Sequence, residues 1–202
     1  MIKSFASALS LMAMGAKAAI SFGECTKEYS PMTDFDRTRY QGLWFDIMHD
    51  SWIRFQWFTT CVNAEYTLMD DSRIYVDNYA RTWFGWTNMS GTAVKADNGR
   101  DDASFVVGLQ RIPDSSEKEN YTVMDTDYDN YSIVYSCEPI WYGFGSWEYL
   151  WILMREPLPS EESIAPLVKI IEERLPDYEF YENTERSIQG DENCLYDTKK
   201  DI

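Results

Sequence analysis

The chain has 202 residues, 45% of them hydrophobic and 16% aromatic, enough for one domain with a packed core. Its 34 acidic against 18 basic side chains give a formal net charge of −16. Such a surface repels phosphate backbones and speaks against a nucleic-acid partner; it suits plain solubility, or an assembly that uses acidic faces.

Residues 1–18 carry the pattern of a secretory signal. Lys3 supplies the positive charge, Phe5 to Met14 a short apolar run, and Ala16-Lys17-Ala18 an A-x-A cleavage site. The apolar run is too short to span a bilayer and no other segment is long and apolar enough, so no integral membrane association is expected. Cleavage removes Lys3 and Lys17 but no acid, leaving residues 19–202 as a single, still more acidic domain bound for the extracellular space.

Between residues 41 and 155, runs rich in Val, Ile, Tyr, Phe, Trp and Thr alternate with polar turns. They predict strands at 43–50, 60–69, 73–81, 86–95, 103–111, 120–126, 131–138 and 146–155. The separators carry turn chemistry: Asp70-Asp71-Ser72, Asp97-Asn98-Gly99, Pro113-Asp114-Ser115-Ser116, Asp129-Asn130 and Gly143-Phe144-Gly145. Eight antiparallel up-and-down strands make an all-β barrel just wide enough for one small ligand, and closure removes exposed edges.

The period then changes. Ile164, Leu167, Val168, Ile171 and Leu175 recur at helical spacing, which predicts one C-terminal α-helix packed outside the barrel. With Ser163 as N-cap, Pro166 falls in the first turn, where its missing donor is harmless; a start at Ser160 would place it in the interior. Pro176 ends the helix, and Tyr178 to Tyr181 are the candidate for one more short strand.

Four cysteines on a secretory route predict two disulfides, and sequence physics alone leaves all three connectivities open. Three glycosylation sequons begin at Asn88, Asn120 and Asn130; a tight turn hides the last, so Asn88 and Asn120 are the expected sites.

Gly42-Leu43-Trp44 opens the first strand, Thr126-Asp127-Tyr128 sits at a later turn, and Arg155 closes the last strand. That set, in that order, resembles the lipocalins. From Phe35 to Cys194 the chain looks like apolipoprotein D, the insect bilin-binding proteins and, most of all, the crustacyanins. The densest match runs from Asp125 to Tyr131 and through Val134-Tyr135-Ser136-Cys137, with Cys61 to Tyr66 and the ending from Gln189 to Thr198 also similar. The resemblance implies bridges Cys25–Cys137 and Cys61–Cys194, and a structural role for Trp44 and Arg155, stacked at the closed end of the barrel. Asp127 is expected to accept backbone donors nearby. His49, the only histidine, has no partner triad in the sequence and reads as a strand or rim residue.

If Arg155 points inward, two-residue alternation turns Leu153, Trp151, Tyr149 and Trp147 inward as well. Ala64, Tyr66 and Leu68 then line the second strand, Ile74, Val76 and Asn78 the third, and Phe105, Val107 and Leu109 the fifth. Such a cup is aromatic and aliphatic with a few polar tips, which suits a long conjugated or lipid-like molecule; the same residues could instead fill a solid core. Trp52, Phe55, Trp57 and Phe58 after the first strand, with Trp141, Tyr142 and Phe144 before the last, border the mouth as a grip on the ligand or an oligomer interface.

The resemblance implies a non-enzymatic binder: crustacyanin subunits hold the carotenoid astaxanthin between paired cups of a dimer. The expected ligand is thus a carotenoid such as astaxanthin, the expected partner another lipocalin subunit in a homo- or heterodimer, and the alternative a bilin, steroid or fatty acid. Residues 51–58 and 82–86 depart from that pattern in their wealth of Trp. No catalytic residue and no metal cluster is read from the sequence; Asp101-Asp102 and Asp125-x-Asp127 sit at turns, where acids are ordinarily solvated.

Overall fold

Alternating apolar residues dominate the middle of the chain, and in the computed structural model they form a closed sheet. Residues 20–22, 25, 30–53, 56–70, 72–140 and 144–197 are described; the predicted signal segment, Phe55, Trp141 and Tyr142 lie outside them. The elements, in order, are β1 (Ile20–Phe22), α1 (Arg37–Tyr40), β2 (Gly42–Asp50), β3 (Thr60–Leu68), β4 (Arg73–Thr82), β5 (Gly85–Lys95), β6 (Ser104–Leu109), β7 (Tyr121–Thr126) and β8 (Tyr131–Ile140). They continue as β9 (Gly145–Met154), α2 (Glu161–Arg174), α3 (Phe180–Asn183), β10 (Thr184–Arg186) and α4 (Asp191–Cys194).

Strands β2 to β9 pair with their sequence neighbours, and β9 pairs back onto β2 from Phe45↔Met154 to His49↔Trp151. That last ladder turns eight antiparallel strands into a barrel, the predicted fold class. Two short strands extend it: β1 lies on β9, and β10 lies on the far half of β2, where Glu185 faces His49. The fifth predicted strand ends early because Gln110 adopts a left-handed backbone, φ 56°, which closes β6 at Leu109 rather than 111.

Two apolar layers result. Inside the barrel, Tyr40, Trp44, Ala64, Tyr66, Ile74, Val76, Ala93, Phe105, Val123, Val134 and Leu153 form one buried cluster. Outside it, Phe45, Ile47, Ile133, Leu150 and Ile152 bury the inner face of α2 through Ile164, Leu167, Val168 and Ile171. Each of those helix side chains contributes about 1.5–3 kcal/mol by leaving water, an upper estimate for a real unfolded chain.

Two sequence expectations are corrected here. Helix α2 starts one turn earlier than Ser163: Ser160 is its N-cap, accepting the Ser163 N–H, and Glu161 and Glu162 occupy the first turn. Pro166 therefore sits inside the helix, but on its exposed side, where water can take the carbonyl it leaves unpaired. Tyr178 and Phe180 are core side chains rather than strand residues; Phe180 opens α3, and the added strand is β10, after Thr184 Oγ1 donates to the Phe180 carbonyl at 2.7 Å.

Candidate ligand-binding cup

Gly-x-Trp is a local solution to a crowded floor. Gly42 has φ +93°, and a Cβ there would lie 3.3 Å from Nη1 of Arg155. The missing side chain lets Arg155 lie over Trp44, 3.6 Å from the ring centroid, while its nitrogens donate to the carbonyls of Tyr128, Leu43, Gln41 and Arg39. The indole nitrogen donates to the Tyr40 carbonyl at 2.9 Å. Asp127 accepts the Asn130 side-chain amide at 2.7 Å and the N–H groups of Asn130, Tyr131 and Asp129, which hold its carboxyl below the ordinary range despite partial burial. Thr126 Oγ1 accepts the Tyr128 N–H, and Tyr128 hydroxyl accepts the Asp36 N–H, so the whole Thr126-Asp127-Tyr128 turn locks one end of the barrel.

Above that floor the predicted wall residues share one interior. Tyr66, Val76 and Phe105 are buried there, with Leu68, Val107 and Trp151 packed against them. Trp147, Tyr149 and Trp151 succeed one another along the inner face of β9, with ring centroids 6.3 and 6.0 Å apart. These three rings stay only half-buried, as does Asn78, whose partner across the ladder, Met89, is exposed. Inward-facing side chains near the loops at 83–84 and 144 are thus reached by solvent, whereas those near the floor are sealed.

The sequence reading missed the polar centre of this interior. Tyr66 and Tyr121 hydroxyls are hydrogen-bonded at 2.9 Å, Tyr121 and Tyr40 at 3.0 Å, and Tyr40 meets Ser132 Oγ at 2.9 Å. Burial pushes Tyr40 up to about 12 and drives Tyr66 and Tyr121 higher still, so all three stay neutral hydroxyls. The alternation Tyr121, Val123 within β7 is the available signal for one of the missed residues, Tyr121.

The mouth is less apolar than expected. A bulge between Asp46 and Met48 breaks the alternation of β2, so Asp46, opposite Leu153, and His49, opposite Trp151, face the same way. His49 Nδ1 lies 3.0 Å from Asp46 Oδ2 and 2.9 Å from Ser187 Oγ, and Nε2 lies 3.3 Å from Glu185 Oε1. Burial would lower the imidazole pKa, but the Asp46 and Glu185 carboxylates outweigh it and raise it. From the loop at 51–59, Gln56 Nε2 donates to Asp46 Oδ2 at 3.0 Å. His49 is therefore a strand residue, but one held in a polar cluster the sequence did not reveal. The neighbouring Trp52 and Trp57 rings are 6.2 Å apart, and Phe58 is 95% exposed.

Other assignments resolve similarly. Both implied bridges, Cys25–Cys137 and Cys61–Cys194, are formed, so no cysteine is free. Asn88 is exposed on β5, whereas the Asn120 carboxamide accepts the Val107 N–H at 2.7 Å and donates to its carbonyl at 3.1 Å. Asp102 is no solvated turn acid: it is buried against Arg100 at 2.6 Å and Lys95 at 3.3 Å, which with the Ser104 N–H depress its pKa in spite of burial. Among the described residues there is no His, Cys, Asp and Glu grouping that could hold a metal ion, and no helix long and apolar enough to cross a membrane.

A family model described as a lipocalin-like domain matches residues 35–182. The Lazarillo protein of Schistocerca americana is 28% identical over 185 residues, spanning 91% of this chain and 84% of that protein. Apolipoprotein D of Macaca fascicularis is 33% identical over 147 residues, 69% of this chain and 70% of its own. The solved structure of lobster apocrustacyanin A1 shares the fold, with a TM-score of 0.72 at 18% identity over 93% of this chain and 99% of that one. With the family model spanning the barrel and α2, and the floor built as described, the chain belongs to the lipocalin family.

Proposed function

We propose that this lipocalin is a secreted, non-enzymatic carrier that holds one small hydrophobic ligand noncovalently inside its barrel, the ligand being a carotenoid of the astaxanthin type. The observation that carries this reading is the half-buried ladder Trp147, Tyr149, Trp151, an aromatic wall facing an interior that solvent reaches. Tyr66, Leu68, Val76, Asn78, Phe105 and Val107 complete the wall, and the Tyr66, Tyr121, Tyr40 chain offers one polar anchor for a keto or hydroxyl end. A long, conjugated molecule with a polar tip fits that division; a bilin, with several polar groups along its length, would meet few partners below the mouth.

Binding rather than catalysis is favoured by the mouth cluster itself. Asp46 and Ser187 both meet the same nitrogen of His49, so the imidazole cannot relay a proton between them as a nucleophile and its orienting acid require. Four side chains at the open end, Phe58, Trp83, Phe84 and Phe144, are largely exposed, which supports pairing with a second lipocalin subunit through that end. Two disulfides pinning the chain ends support an extracellular setting.

The test is extraction of the protein purified from its native source. The reading expects a visible absorption band that disappears into organic solvent with a carotenoid mass; a colourless extract containing only fatty acid or steroid would replace the ligand, and an empty extract would overturn the carrier role.

A further inference from the structure

Among the described residues the four most exposed large hydrophobic side chains are Phe84, Phe58, Trp83 and Phe144, at 96, 95, 94 and 78%. Strand direction puts all four at one end. β2, β4 and β8 start beside the floor of Trp44 and Arg155 and run away from it, so the loops at 51–59, 83–84 and 144 surround the open mouth. Trp83 and Phe84 are the two residues of the β4–β5 turn, since Thr82↔Gly85 is the last pair of that ladder. Such turns ordinarily carry Asn, Asp or Gly, so turn chemistry does not account for two bare rings at the tip.

Charge is withheld from the same places. The chain has a net charge of −16, yet residues 82–94 and 139–147 hold no charged side chain and the 51–59 loop holds only Arg54. The fourth loop at this end, between β6 and β7, is different: Arg111 pairs there with Glu117 at 2.6 Å. Rings as exposed as these touch little of the protein, so they stand apart as separate prongs rather than one flat face. A rigid protein partner must meet each prong with its own socket. Fluid lipid closes around them singly, and Trp and Phe gain by burial just below the headgroups. The acidic remainder of the surface is repelled by anionic headgroups and indifferent to zwitterionic ones.

We propose that the open end is a peripheral docking surface for a bilayer of zwitterionic lipid, entered by Phe58, Trp83, Phe84 and Phe144 while the Arg111–Glu117 loop stays in water. Pairing with a second subunit covers the same rings, so docking belongs to the unpaired chain. It turns the mouth of the cup onto the membrane and requires no particular cargo, so it does not depend on which ligand the cup holds.

The experiment is flotation of the chain secreted from a eukaryotic host, without added carotenoid and dilute enough to be monomeric, with vesicles of pure phosphatidylcholine. The chain is expected to float. Trp83→Ser combined with Phe84→Ser should lower its partition coefficient about ten-fold or more, with an unchanged melting curve by circular dichroism. Met69→Ser, exposed at the opposite end in the turn between β3 and β4, should leave partitioning as it is. Mixing in phosphatidylserine should weaken binding about three-fold or more at low salt. Wild type that fails to float, equal losses in the Met69 and tip variants, or tighter binding to phosphatidylserine vesicles would each overturn the surface. So would a chain that ignores vesicles but sediments as a pair broken by the tip substitutions, which would assign the rings to a second copy alone. A cup that binds no carotenoid would change none of these outcomes.

Discussion

Arg155 lies 3.6 Å over the ring of Trp44 and at the same time donates to four backbone carbonyls, three along residues 39–43 and one at Tyr128. The pair joins the first barrel strand to the last, with Gly42 leaving the room. Lysine carries the charge but neither the planar stacking face nor the fork of donors. Arg155→Lys should therefore cost about 2–4 kcal/mol, from partly orphaned buried carbonyls and a weakened cation–π contact. Urea unfolding followed by tryptophan fluorescence measures it; a loss within experimental error of zero would mean the floor does not depend on the pair.

Asp50 gives the fold a built-in sensitivity to pH. Complete burial, reinforced by the Glu148 carboxylate, pushes its carboxyl up to about 6 even though the Trp52 N–H, the Tyr178 hydroxyl at 2.8 Å and His49 pull it down. The folded state then holds a proton that the unfolded chain has lost, so stability falls as pH rises from about 4 to about 6, by up to roughly 3 kcal/mol from this group. His49, raised as well, adds to the same trend: its contribution is full below its unfolded value of 6.5 and disappears as pH climbs through its higher folded value. Asp50→Asn should flatten the slope between about pH 4 and 6 and raise the melting temperature at neutral pH. An unchanged slope in that variant would place the proton elsewhere.

The fold could be read from the sequence because its signals are local. Alternation along each strand, the turn residues and the family segments at Trp44, Asp127 and Arg155 survive tertiary context, and β2 to β9 fall within a residue or two of expectation. Three things escaped for physical reasons. A single extra residue in β2 is invisible to a period-two pattern, which turns Asp46 inward but His49 outward; the bulge puts both on one face and builds the mouth cluster. The tyrosine chain joins residues 81 and 55 positions apart, a coincidence only the closed barrel creates. The start of α2 is set by the capping of Ser160 and not by Pro166, because an exposed helix face tolerates proline in its interior.

The Cys61–Cys194 bridge spans 133 residues and ties the tail to β3. Replacing both cysteines with serine should lower stability by on the order of 4 to 5 kcal/mol in the chain-entropy account. The neighbouring anchor, Gln189 Nε2 donating to the Asp46 and Val62 carbonyls, should then loosen, and limited proteolysis should cut the tail first. A tail that resists protease after this change would show that those side-chain bonds hold it alone.

Glycosylation should discriminate between the two expected sequons. Asn88 is exposed, while the Asn120 carboxamide is committed at both ends to Val107. Peptide mapping of protein secreted from a eukaryotic host should find a glycan on Asn88 and none on Asn120. Occupancy at Asn120 would mean that modification precedes closure of β6 against the 110–120 loop.

The decisive measurement is a quenching titration of tryptophan fluorescence with astaxanthin, run on the wild type and on Trp151→Ala. The wild type should saturate at one carotenoid per chain, and Trp151→Ala should bind about ten-fold more weakly, ~1.4 kcal/mol, with little change in its unfolding midpoint. Absence of saturable quenching, or an affinity untouched by the loss of that indole, would contradict a ligand held against the inner face of β9.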